Sequence, residues 1–117
     1  TVGTVVETPE SQIDALSTIS GSGPAYVFYF IEEFTRTAID MGFTPEQALT
    51  LVAGTFDGSL ALLAASESSP EQLRKQVTSP KGTTERAVEQ FQAADLKSIF
   101  DKATGAALAR AKELAAG

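Results

Sequence analysis

Apolar and polar positions alternate at helical spacing along almost the whole chain, and prolines mark where the helices begin. Thr8-Pro9-Glu10, Thr44-Pro45-Glu46-Gln47 and Ser69-Pro70-Glu71-Gln72 share one design. A hydroxyl stands at the N-cap, proline occupies the first helical position, and an acid follows where the helix dipole favours negative charge. The last two also carry glutamine three residues after the hydroxyl, which completes a capping box. The pattern predicts helices over 9–18, 24–41, 45–65, 70–77, 84–93 and 96–115. The exception is Thr1 to Glu7, where Val2, Val5 and Val6 suggest a short extended piece with no partner strand.

Ala25-Tyr26-Val27-Phe28-Tyr29-Phe30-Ile31 has the composition of a buried strand. Pro24 at its start, the continuing spacing Val27, Ile31, Phe34, Ala38, Met41, and Gly42 as a stop make it a helix. Its first two turns are apolar on every side, so another layer of protein must cover it, and a homodimer is the economical source. The next helix carries Leu49, Val52, Phe56 and Leu60 on one stripe, with Gly54 and Gly58 one turn apart. Each internal glycine costs roughly 1 kcal/mol against alanine, which points to close approach of another helix. The last helix runs Leu96, Ile99, Phe100, Ala103, Ala107, Leu114, again suited to close contacts.

Composition narrows the chemistry. The 117 residues include no histidine, no cysteine and no tryptophan. That excludes Ser-His-Asp and Cys-His nucleophile systems, zinc sites of the usual ligands, and disulfides. The length suits one domain that buries roughly two-thirds of its unfolded surface. The longest unbroken apolar run, Ala25 to Ile31, is too short to span a bilayer, and no basic segment precedes an apolar one at the N-terminus. The expectation is a cytoplasmic protein with no membrane partner. A net charge of −6 argues against a nucleic-acid partner, which needs a clustered basic face.

The distribution of charge says more than its sum. Residues 1–72 hold ten carboxylates and one base, Arg36, whereas residues 73–117 hold eight bases and five carboxylates. Either complementary surfaces dock on each other or on a partner chain, or the last third faces an anion. The fifth proline suits the anion reading without deciding it. Ser79-Pro80-Lys81-Gly82-Thr83-Thr84 has lysine where the other starts have glutamate, then a glycine, then two hydroxyls. Gly82 permits close backbone approach, the first helical amides are unpaired donors, and Lys81 adds positive charge. A solvated interhelix turn is the competing reading. The second glycine cluster, Ser20-Gly21-Ser22-Gly23-Pro24-Ala25-Tyr26, fails as a dinucleotide fingerprint, because Tyr26 replaces the third glycine and no strand precedes it.

The stretch from Asp14 through Ser20-Gly21-Ser22-Gly23-Pro24-Ala25-Tyr26, followed by Gln76-Val77-Thr78-Ser79-Pro80-Lys81-Gly82-Thr83-Thr84, resembles the C-terminal domain of pyrroline-5-carboxylate reductase. The likeness runs through Gly42-Phe43-Thr44-Pro45 and the alanine-rich close at Lys112-Glu113-Leu114. It implies an all-α fold, an intertwined helical bundle forming a homodimer that in some members builds decamers. Residues 1–12 would then be the exit segment of a preceding Rossmann domain, and 13–117 the helical dimerisation and substrate-binding domain.

The resemblance further implies reduction of L-Δ1-pyrroline-5-carboxylate to L-proline with NADPH or NADH, the cofactor being held mainly by the preceding domain. The isolated helical domain would be inactive. Ser79, Lys81, Gly82, Thr83 and Thr84 would bind the substrate, with Thr84 as the catalytic residue nearest the ring nitrogen. Ser22, Gly23 and Pro24 would face the cofactor. Glu67 is a candidate for stabilising developing positive charge, and no metal is implied. The family loop usually reads Ser-Pro-Gly-Gly, so Lys81 must avoid positive φ or tolerate strain; it either points to solvent or attracts the substrate carboxylate. A helical dimerisation module without a ligand, and the helical domain of another Rossmann-linked reductase, stay open as alternatives.

Overall fold

The computed structural model describes residues 6–117, and the expected extended piece at residues 1–5 lies outside them. All regular structure in the described residues is helical. A 3₁₀ turn, Glu10–Gln12, leads into helix α1 (Ile13–Leu16) and a π-helical turn, Ser17–Gly21. Then follow α2 (Gly23–Asp40), α3 (Pro45–Ala65), α4 (Pro70–Gln76), α5 (Thr83–Ala93) and α6 (Leu96–Ala116). The chain forms two compact units, one comprising the residues up to Val27 with Leu96–Gly117, the other Phe28–Asp95.

Capping explains why these helices start and stop where they do. At α3 the Thr44 hydroxyl accepts the Gln47 N–H at 3.1 Å, while the Thr44 N–H donates to Gln47 Oε1 at 3.0 Å. Ser69 and Gln72 repeat the pair at α4, at 3.1 and 2.8 Å. Both boxes satisfy helix-end donors that would otherwise need water. The first proline departs from the expected design. Pro9 itself takes the N-cap position, with no side-chain cap, and the Thr8 hydroxyl instead donates back to the Val6 carbonyl. The chain therefore enters its first helix through a 3₁₀ turn.

Gly42 ends α2 as the pattern requires. Its φ of 111° lies in a region closed to side-chain-bearing residues. The Gly42 N–H donates to the Ile39 carbonyl at 2.9 Å and the Phe43 N–H to the Ala38 carbonyl at 3.3 Å, the paired bonds of a Schellman stop. This turn folds α3 back so that the two helices share a core of Ala38, Ala48 and Val52, with Ile31, Ile39 and Phe56 half-buried against it. The row facing α2 is Ala48, Val52, Phe56, spaced four apart. Leu49 and Leu60, expected on that stripe, lie on the surface at 52% and 61% exposure.

The expectation that a helix approaches Gly54 and Gly58 is not met within the chain, because a Cβ added at either would meet nothing within 4 Å. Phe28, Tyr29 and Phe34 of α2 are also exposed. Each such side chain forgoes roughly half of the about 1.5–3 kcal/mol of full burial, and exposed large apolar side chains in this number mark an interaction surface. By length and composition α3 is also apolar enough to cross a membrane, although polar positions such as Asp57 and Ser59 interrupt its apolar runs.

Half of the bases in residues 73–117 pair with acids on their own helix: Lys75 with Glu71, Arg86 with Glu89, Lys97 with Asp101 and Arg110 with Glu113. These exposed pairs contribute a few tenths of a kcal/mol each. Capping should matter more. Thr44→Ala is expected to lower unfolding free energy by about 1 kcal/mol, and Gly42→Ala by at least as much because of its positive φ. Equilibrium denaturation of each variant measures both losses.

Candidate functional site

The segment between α4 and α5 lies wholly within the Phe28–Asp95 unit. Ser79 to Gly82 form a tight turn, closed by the Gly82 N–H donating to the Ser79 carbonyl at 3.0 Å. Pro80 occupies the second position and Lys81 the third, with φ of 62°, the arrangement of a type II turn. That third position normally favours glycine. Lys81 thus tolerates the strain rather than avoiding it, at a cost of about 1–2 kcal/mol. Gly82 has ordinary φ, and its lack of a side chain serves close packing instead: a Cβ there would lie 3.1 Å from the Ser79 carbonyl oxygen.

Because Gly82 is the N-cap, α5 has no side-chain cap, unlike α3 and α4. Among the described residues the N–H groups of Thr83, Thr84 and Glu85 meet no acceptor. The hydroxyls of the first-turn threonines are also unspent, and helix geometry explains why. Thr37, Thr55 and Thr104, inside helices, donate to the carbonyl four residues back. Thr83 and Thr84 have no helical turn behind them. Ser79, Thr83 and Thr84 are all exposed, so backbone donors and hydroxyls stand open to solvent at the positive end of a helix. Lys81 is exposed as well and forms no ion pair among the described residues. Such an arrangement can hold a carboxylate.

The other predicted positions stand elsewhere. Glu67 is exposed in the turn before Ser69, and no hydrogen bond or ion pair among the described residues links it to Ser79–Thr84. Ser22, Gly23 and Pro24 belong to the other unit. There the serine-glycine cluster forms a π-helical turn, a feature that sequence reasoning missed. The Ser22 N–H donates to the Ser17 carbonyl, five residues back, at 2.9 Å. Hydroxyls serve the carbonyls that this wider turn leaves over: Thr18 donates to Ala15, Ser20 to Leu16, and Tyr26 to Thr18 at 2.8 Å. The run of hydroxyls at 17, 18, 20 and 22 around Gly21 was the available signal.

A phosphate cradle does not form at this cluster. Pro24 has no N–H, and the N–H groups of Ser22 and Ala25 are already bonded to Ser17 and Ser22 carbonyls.

These features define a helical domain with an uncapped helix start beside a tight turn and many uncovered apolar side chains. Residues 10–114 match the family model for pyrroline-5-carboxylate reductase dimerisation, and the chain belongs to that family. The chain is 42% identical over 106 residues to the pyrroline-5-carboxylate reductase of Pseudomonas aeruginosa, covering 91% of this chain and 39% of that protein. It is 39% identical to the enzyme of Methanosarcina acetivorans, covering 97% and 42%. The chain therefore spans about two-fifths of the length of these relatives. The solved reductase of Coxiella burnetii superposes with a TM-score of 0.88 at 42% identity, covering 92% of this chain and 40% of that one. That of Plasmodium falciparum, solved with NADP bound, gives 0.89 at 31%, covering 95% and 45%.

Replacing Lys81 with glycine should relieve the positive φ. Lys81→Gly is expected to raise stability by roughly 0.5–1 kcal/mol, read as a shift in denaturation midpoint at unchanged slope.

Proposed function

We propose that this chain is the dimerisation and substrate-carboxylate domain of an NAD(P)H-dependent, cytoplasmic pyrroline-5-carboxylate reductase, inactive by itself. The observation that carries the reading is the uncapped start of α5, whose donors are open beside the Ser79–Gly82 turn in a chain of this family. The substrate is an imine carboxylate. Its carboxylate would accept from the Thr83 and Thr84 N–H groups and from the hydroxyls of Ser79 and Thr83, with the α5 dipole and Lys81 supplying positive potential. Thr84 would turn its hydroxyl to the ring nitrogen and hold it in register as that nitrogen gains its proton. A reduced nicotinamide supplies the hydride when bound, and Ser22, Gly23 and Pro24 would border its ring. Holding the substrate in one orientation is the protein's principal contribution. Carboxylates, hydroxyls and backbone amides suffice for it, consistent with the absence of histidine and cysteine.

The apolar face is assigned to a second copy of the chain. Gly54, Gly58 and the exposed leucines of α3 suit close helix contact, and membership of a dimerisation family supports a protein rather than a lipid covering. Higher assembly into decamers stays within the same proposal.

Two measurements test it. Gel filtration with light scattering should give a dimer at micromolar concentration, and a monomer would overturn the assignment of the apolar face. In the full-length reductase carrying this domain, Thr84→Val should lower kcat/KM for pyrroline-5-carboxylate by about tenfold or more. An unchanged value would remove Thr84 from the site.

A further inference from the structure

We infer that Glu85 is a positioning residue for the carboxylate site: its side chain holds the Ser79–Gly82 turn in the shape that leaves the first amides of α5 open. The inference rests on the functional reading above. It starts from the Lys81 N–H, which donates to Glu85 Oε1 at 3.1 Å. Lys81 adopts φ of 62°, a conformation that a glycine would occupy without penalty. A lysine there is held only if something else stabilises the turn. The carboxylate of Glu85, half-buried beside the cleft of about 210 Å³ that it shares with Arg74 and Lys75, meets that need.

The geometry has two internal precedents. Gln47 and Gln72, at the same third helical position of α3 and α4, accept a backbone N–H from the N-cap residue. Glu85 reaches one residue further back, past Gly82, because Gly82 already donates to Ser79. In α3 and α4 the N-cap hydroxyl closes the first turn as well, through the bonds from Gln47 and Gln72. At α5 no hydroxyl does so. The backward half of a capping box is therefore kept while the forward half is left open. The strained lysine and the acid four residues on form one device, so they should couple energetically.

A double-mutant cycle in the full-length reductase tests this, with pyrroline-5-carboxylate as substrate. Glu85→Ala should raise KM about fivefold with kcat changed less than about twofold, because only positioning of the carboxylate is lost. Glu85→Gln should stay within about twofold of the parent KM, since an amide oxygen can accept the same bond. In a Lys81→Gly background, Glu85→Ala should raise KM by less than about twofold, because glycine holds the turn unaided. If Thr84→Val lowers kcat/KM while Glu85→Ala leaves KM unchanged, the positioning role fails and the carboxylate site stands. If neither substitution has an effect, the site reading fails and takes this inference with it. Equal losses for Ala and Gln, or no coupling to Lys81→Gly, would also overturn it.

Discussion

The α2–α3 hairpin is built from more apolar surface than one copy of the chain can bury. Only the row Ala48, Val52, Phe56 meets Ala38, Ile31 and Ile39 across the Schellman turn. Leucines and aromatics on the remaining faces stay in contact with solvent. A helix of this kind costs several kcal/mol of unrealised burial until a second surface covers it. Membership of a dimerisation family provides for a second surface of that kind, and the glycines in the middle of α3 have nothing near them among the described residues.

The same economy governs the turn before α5. Most polar groups near helix ends in this chain are spent locally, on capping boxes, back-bonded threonines or short-range ion pairs. At Thr83 and Thr84 they are not, because the first turn of a helix has no carbonyls behind it and Gly82 brings no capping side chain. Open donors beside a positive helix end are the physical basis for receiving a carboxylate. The π-helical turn at Ser17–Gly21 shows the contrast. It has a similar composition of serine and glycine, yet its Thr18 and Ser20 hydroxyls serve the carbonyls of Ala15 and Leu16 in the helix before it.

Much of this was legible from residue pattern. The helices of residues 24–116 start and stop within a residue of their expected bounds, because proline, hydroxyl and glycine act over three or four residues and owe nothing to distant packing. The uncapped start of α5 was legible for the same reason: it differs from the other proline starts by a lysine and a glycine. The π-helical turn was not legible, because hydroxyl-rich sequence also suits a loop, and only the bonding of Tyr26 and Thr18 selects the helical alternative. The role of Glu85 was equally hidden, since an acid in a first turn reads as a response to the dipole.

The sequence by itself determined the helical class, the caps of α3 and α4, the exclusion of histidine and cysteine chemistry, and which proline start departs from the others. Those features follow from local stereochemistry and from which functional groups exist. Tertiary structure decided which face of α3 is buried, that Leu49 and Leu60 are left outside, that Lys81 accepts a strained backbone, and that Glu85 reaches back to hold it. Periodicity selects a stripe but not its exact row, and a carboxylate finds its partner only once the turn has brought a backbone N–H within 3.1 Å of it.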